Sequence, residues 1–230
     1  MHRPFVFMNM ASSADGKITS ATREYPTFTS DHDKAHMDAL RAQADAVLVG
    51  ANTLRHDDPP LHIRTPEQRR ERHLRGQEPH LIHVVVSASL SLDPNLGFFS
   101  NPNVRQRIVA TTETSDPARR EALSPHAAVW LCGAQRVDIP ALLARLLAQG
   151  VQKLLVEGGG ELNWDFIAAG AVDDIHITLC PTLIGGRNAP TLLEGTGFSM
   201  HTRPRLRLLE ARPVGDEIFC HYRVLRPQNS

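Results

Sequence analysis

The chain has little of what marks several large protein classes. Its three cysteines, Cys132, Cys180 and Cys220, are far apart and odd in number, which excludes a disulfide framework or a zinc knuckle and points to a reducing, cytoplasmic setting. Charge of one sign is not in excess, with 25 Lys+Arg against 25 Asp+Glu. No global positive field draws the protein onto nucleic acid or an anionic membrane, and a small-molecule partner is expected. The opening "MHRPFVFMNMASS" is broken by Asn9, and no run approaches the ~18 apolar residues of a membrane span or the pattern of a secretory leader. The sequence also lacks internal repeats, a G-x-S-x-G nucleophile elbow and the H-x-E…P-C-x-x-C signature of zinc deaminases.

What is present alternates. Phe5 to Met10 reads as a strand that ends at the turn-like "SSADGK", and "DHDKAHMDALRAQ" as a helix capped by Ser30 or Asp31. "AVLVG", "LIHVVVS", "RQRIVATT", "AAVWLCG", "KLLVEG" and "DIHITLCP" read as strands, interleaved from "DPARREAL" onward with "DIPALLARLLAQG" and "ELNWDFIAAG" as helices. Such interleaving predicts an α/β fold with a mostly parallel sheet. "LRLLEARPVG" and "EIFCHYRVL" instead predict an antiparallel hairpin turning at Gly215 and Asp216. No linker divides residues 1–230, so a single domain is expected, with the polar stretch 65–80 as a charged surface excursion.

Three stretches carry chemistry-bearing residues. Gly158-Gly159-Gly160 stands between a strand and a helix, where bare N–H groups and a helix dipole favour an anion such as phosphate. A tight strand-to-helix turn is the alternative. The run fits neither the dinucleotide fingerprint, which needs glycine at Asn163, nor a P-loop. "GANTLRHDDPPLHIR" gathers Thr53, Asp57, Asp58 and Arg64 into one predicted loop, suited to sugar hydroxyls and phosphate, or simply to a turn. In "SSADGK", Asp15 and Lys17 follow the first strand, in an Asp-Gly turn that means little alone. His32 and His36 share a helix face, yet no third ligand accompanies them, and no metal is expected.

Taken together, "SSADGK", "LRAQADAVLVGANTLRHDDPPLHIR" and "VEGGGELNWDFIAAGAVDDIHITLCPTLIGG" resemble the reductase family of riboflavin biosynthesis, the stand-alone counterpart of the C-terminal domain of the bifunctional pyrimidine deaminase/reductase. The likeness runs over nearly the whole chain. It implies a dihydrofolate-reductase-like fold, a mixed central sheet flanked by helices. It also implies NADPH-dependent reduction of the ribosylamino side chain of a pyrimidinone 5′-phosphate to its ribitylamino form.

By the same resemblance, NADPH meets Ala11, Thr27, Thr53, Asp57 and the turn Gly159, Gly160, Glu161, Leu162, Asn163, Trp164 and Asp165. Substrate meets Lys17, Arg41, Leu61, Arg64 and Glu157, the two arginines holding its phosphate. Lys17 and Glu157 are the candidates for polarising or protonating the reacting end. A homodimer is also implied. Two positions depart from many relatives, Ala14 where leucine is common and Ser87-Ala88 where Asp-Ser is common, and the second bears on a cofactor contact. Two other functions remain open: reduction of a pterin or folate, against which the two arginines speak, and a nucleotide-binding domain without turnover.

Overall fold

The computed structural model describes residues 2–24 and 28–225. Nine strands form one sheet in the order β5-β4-β3-β2-β6-β1-β7-β9-β8. They are β1 (Phe5–Ser13), β2 (Ala46–Gly50), β3 (Ile82–Val86), β4 (Gln106–Thr111), β5 (Ala128–Leu131), β6 (Lys153–Val156), β7 (Asp174–Cys180), β8 (Arg205–Val214) and β9 (Glu217–Leu225). The pairs among β1 to β7 are parallel, while β9 runs antiparallel to both β7 and β8. The expected mostly parallel sheet and C-terminal hairpin are both found.

The helices are α1 (Asp31–Arg41), α2 (Ala51–Asp57), α3 (Pro66–Leu74), α4 (Gly97–Ser100), α5 (Pro117–Leu123), α6 (Ile139–Ala148) and α7 (Gly160–Ala168). A sheet covered on both faces needs strands that are apolar throughout, and β2 meets that need. Ala46 and Leu48 join one core with Leu142 and Leu146 of α6 and Phe166 of α7. Val47 and Val49 join the other with Leu40 of α1, Leu54 of α2 and Phe98 of α4. The result is three layers, helices on either side of the sheet.

Two expectations need correction. The stretch after Gly50 is not all loop: α2 starts directly from β2, but with Gly50 at its N-cap, no side-chain cap and only Leu54 buried, it shows no helical signature. The 65–80 excursion contains α3, opened by Pro66 at its first turn. Its charge is not all solvated. Arg72 is 1% exposed and donates to the carbonyls of Ala42, Ala44 and Glu78 at 2.9, 2.6 and 2.9 Å, tying α3 to the loop that follows α1.

Parallel strands put their carboxyl ends along one edge, where open α/β sheets place their ligands. Here β1, β2, β3 and β6 end together, and α1, α2 and α7 rise around that edge.

Candidate active site

A cavity of about 840 Å³ opens at this edge, towards the upper end of the ~300–1,000 Å³ usual for small-molecule sites. Ala11 of β1, Thr53 and Asp57 of α2, and Gly159 to Leu162 with Asp165 around the start of α7 line one part of it. Arg41, Glu157 and Arg64 line another. Residues from two of the three motif stretches are thus close in space; of "SSADGK", Lys17 included, none is on the wall, which takes only its neighbours Ala11 and Ile18.

The three glycines serve three purposes. Gly158 has φ +82°, and a Cβ there would lie 2.7 Å from Met10 Sδ; its peptide bond to Gly159 is cis. Gly160 is pressed by protein, since a Cβ would lie 2.6 Å from both Glu194 Cγ and the Thr191 carbonyl. Gly159 is the least crowded of the three, a Cβ there meeting only Thr53 Oγ1, at 3.3 Å. It is also the N-cap of α7 and makes no side-chain cap. The first N–H groups of any helix lack intrahelical partners, so this bare start presents donors and a positive dipole end to the cavity. A diphosphate fits that cradle without a side chain in its way.

Along α7 the wall is made by Glu161, Leu162 and Asp165. Asn163 and Trp164 turn elsewhere: Asn163 is fully buried and donates to the Leu192 carbonyl at 2.8 Å, and Trp164 packs on Phe198 with ring centroids 4.5 Å apart. They brace the 188–198 loop, which itself supplies Asn188, Pro190 and Glu194 to the wall. That loop carries no periodicity, and its place in the site was not legible in sequence.

The neighbouring aspartates divide their tasks. Asp58 closes α2 with a left-handed φ of 37° and accepts from the N–H groups of Gly97 and Phe98 at 2.6 and 3.3 Å. Asp57 faces the cavity, and burial raises its pKa above the usual carboxylate value, with the charge of His56 opposing.

At the other end, Arg41 and Glu157 form a bidentate pair, Nε to Oε1 at 2.7 Å and the second guanidinium nitrogen to Oε2 at 2.8 Å. The remaining terminal nitrogen of Arg41 donates to the carbonyls of Pro60 and His62 at 2.7 and 3.2 Å. With its side chain 1% exposed, Arg41 is committed to protein and orients Glu157. Of the two arginines expected to hold phosphate, Arg64 is the one with an accessible guanidinium: its side chain is 36% exposed, anchored through Nε to buried Asp38 at 2.9 Å. Leu61 is 1% exposed within the core. Lys17 donates from Nζ to the Ala189 carbonyl at 2.8 Å, on the loop that bounds the cavity. Thr27 lies outside the described residues. His36 packs in an aromatic cluster with His176 and Phe219. Ser87, on the wall, accepts from the N–H of Leu90 at 3.1 Å.

The profile of the RibD C-terminal domain family matches residues 4–220. The chain belongs to that family. It is 37% identical over 196 residues to the 2,5-diamino-6-ribosylamino-4(3H)-pyrimidinone 5′-phosphate reductase of Archaeoglobus fulgidus, covering 85% of this chain and 89% of that one. It is 32% identical to the reductase of the same name from Methanothermobacter thermautotrophicus, covering 96% and 99%. In fold it matches a pyrimidine reductase-like protein of Corynebacterium diphtheriae, with a TM-score of 0.84 at 22% identity over 97% of this chain and 93% of that one. It also matches RibD of Acinetobacter baumannii, with a TM-score of 0.80 at 22% identity over 98% of this chain and 59% of that one. RibD-type reductase domains therefore share the mixed sheet described above.

Proposed function

We propose that this RibD-family chain is an NADPH-dependent reductase that converts the ribosylamino side chain of a (di)aminopyrimidinone 5′-phosphate to the ribitylamino form in riboflavin biosynthesis. The observation that carries the reading is the union, in one cavity, of a bare helix start suited to a diphosphate with an anchored, accessible Arg64 suited to a sugar phosphate. Two anion sites in one cavity fit a dinucleotide beside a phosphorylated substrate. A pterin or folate would leave Arg64 without its phosphate.

When bound, NADPH supplies the hydride. The chain's own task is positioning. The α7 start, Gly159 and Gly160, would hold the diphosphate through backbone N–H groups, and Thr53 and Asp57 would complete that end of the site. Arg64 fixes the phosphate of the substrate, and Glu157, held rigid by Arg41, accepts hydrogen bonds from the sugar or ring N–H groups.

Purified protein is expected to consume NADPH when given the ribosylaminopyrimidinone phosphate, tested in both its deaminated and undeaminated forms. Tight NADPH binding without turnover of either would overturn the reading. A homodimer is part of the proposal: β8 is exposed along its length, with Leu206, Leu208 and Leu209 43–53% exposed and Ile218 of β9 42%, a patch that a second copy would cover. Light scattering of wild type and Leu208→Lys tests this, with a dimeric mass expected only for the former. The cytoplasm is the setting we assign, in keeping with three unpaired, buried cysteines. Among the described residues, no helix is long and apolar enough to cross a membrane.

A further inference from the structure

Reduction of a ribosylamine consumes one proton. The C1′–O4′ bond of the sugar ring breaks as O4′ takes a proton and the nitrogen lone pair forms C=N, and hydride from NADPH then adds at C1′. A proton source must therefore face the substrate end of the cavity. Glu157 is a poor source, because both its oxygens accept from the Arg41 guanidinium. Lys17 directs its ammonium to the Ala189 carbonyl.

In sequence Asp33 looks like any exposed acid in the first turn of a helix. It is instead 6% exposed and on the cavity wall, and its Oδ1 has no hydrogen-bond partner. A buried carboxyl oxygen left unpaired is costly and calls for an explanation. Asn9 Oδ1 on β1 shares that wall and is equally unpartnered among the described residues; Thr178 Oγ1 on β7, buried behind the wall, is a third such atom. Thr178 lies close enough to Asp33 for its hydroxyl to act on the carboxyl, so β1, β7 and α1 bring incompletely satisfied polar atoms together at this end.

We propose that Asp33 is the acid that delivers the proton to the ring oxygen of the substrate, a residue role that rests on the reductase reading above. Its surroundings support the acid form. Burial raises its pKa above the usual carboxylate value, and the charges of Glu217 on β9 and Glu157 after β6 raise it further, while the nearby hydroxyls of Thr178 and Thr29 oppose. Cys180 on β7 stays a neutral thiol beside it, its pKa pushed up to about 12 by burial and by the charges of Glu217 and Asp33. Lys34, the adjacent cation, points to Asp31 at 2.8 Å. Helix α1 is held in place from outside the site, since Ser30, its N-cap, donates through backbone N–H and Oγ to Glu217 at 2.9 and 2.5 Å. An acid must be protonated to act, so activity is lost as pH rises through its raised pKa.

Asp33→Asn keeps the shape and removes the proton. Expected is a fall in kcat of about 10²- to 10³-fold, with the NADPH Kd and the KM for the phosphorylated pyrimidine within about threefold of wild type. The high-pH fall of kcat seen in the wild type should vanish, and the melting temperature should be unchanged or raised. A kcat within about threefold of wild type, or a retained high-pH limb, would overturn the assignment. If Asp57→Asn removes the limb instead, Asp57 is the acid. A second measurement needs no turnover: the ¹³C-carboxyl signal of Asp33 in the free protein, assigned by its absence in Asp33→Asn. It should titrate above the ordinary carboxylate range, and an ordinary titration sinks the proposal whatever the substrate. A wild type inert towards both pyrimidine forms counts against the reductase reading, while the carboxyl signal still decides on Asp33.

Discussion

The two ends of the cavity are built from opposite materials. Around Gly159 the wall is backbone: a helix start without a side-chain cap, opened by a glycine whose Cβ would meet only the Thr53 hydroxyl. Around Glu157 it is charge paired with charge, Arg41 to Glu157 and Arg64 to Asp38, beside an Asp33 that has no ion pair among the described residues. Backbone donors are rigid and indifferent to pH, which suits a cofactor handled alike by many enzymes. Buried charges are exacting, because each must be paired or neutralised, and that suits recognition of one particular substrate.

Breaking the charged end should cost most. Arg41→Ala leaves Glu157 buried without its counter-ion and is expected to destabilise the fold by about 3–5 kcal/mol, read by urea denaturation; an unchanged midpoint would mean that Arg41 serves a ligand instead. Arg64→Ala should raise the KM for the pyrimidine phosphate by roughly 10- to 100-fold, the value of a lost charge-assisted bond, with NADPH affinity unchanged. At the backbone end, the glycines should separate. Gly160→Ala drives a Cβ into Glu194 and Thr191 and is expected to destabilise by roughly 1–3 kcal/mol. Gly159→Ala, meeting only Thr53 at 3.3 Å, should weaken NADPH binding at nearly unchanged stability. Equal effects from both would erase the distinction drawn between them.

A last effect is graded with pH rather than fixed. Burial, followed by the charges of Arg41 and Arg107, pulls the His83 pKa down to about 3. Between roughly pH 6 and pH 3 the unfolded chain binds a proton there that the folded chain refuses, so stability falls with falling pH by about 1.4 kcal/mol per unit. His83→Phe should flatten that slope in thermal melts across this range.

Much of the fold is legible in the sequence because its signals are local. The apolar runs of β2, β3 and β4, the capped and periodic α6, and Gly215 at the hairpin each declare themselves over a few residues. Helix α2 does not, having one buried residue and no cap. Nor does α3, whose single buried anchor is an arginine that no hydropathy pattern marks as core. The site divides the same way. Gly159 stands out in sequence; Asn188, Pro190 and Glu194, from a loop without periodicity, do not.

By itself the sequence determined an α/β sheet with a terminal hairpin, a glycine turn before a helix, and a set of cations and carboxylates that resembles one reductase family. Those properties follow from composition and spacing along the chain. Only the tertiary structure decided which charge meets which: that Arg41 is spent on Glu157 while Arg64 remains accessible, that Asp57 faces the cavity while Asp58 closes a turn, and that Asp33 is buried. A charged side chain's role depends on its partner and its exposure. Both are set by residues far along the chain, as Glu157 is 116 positions from Arg41.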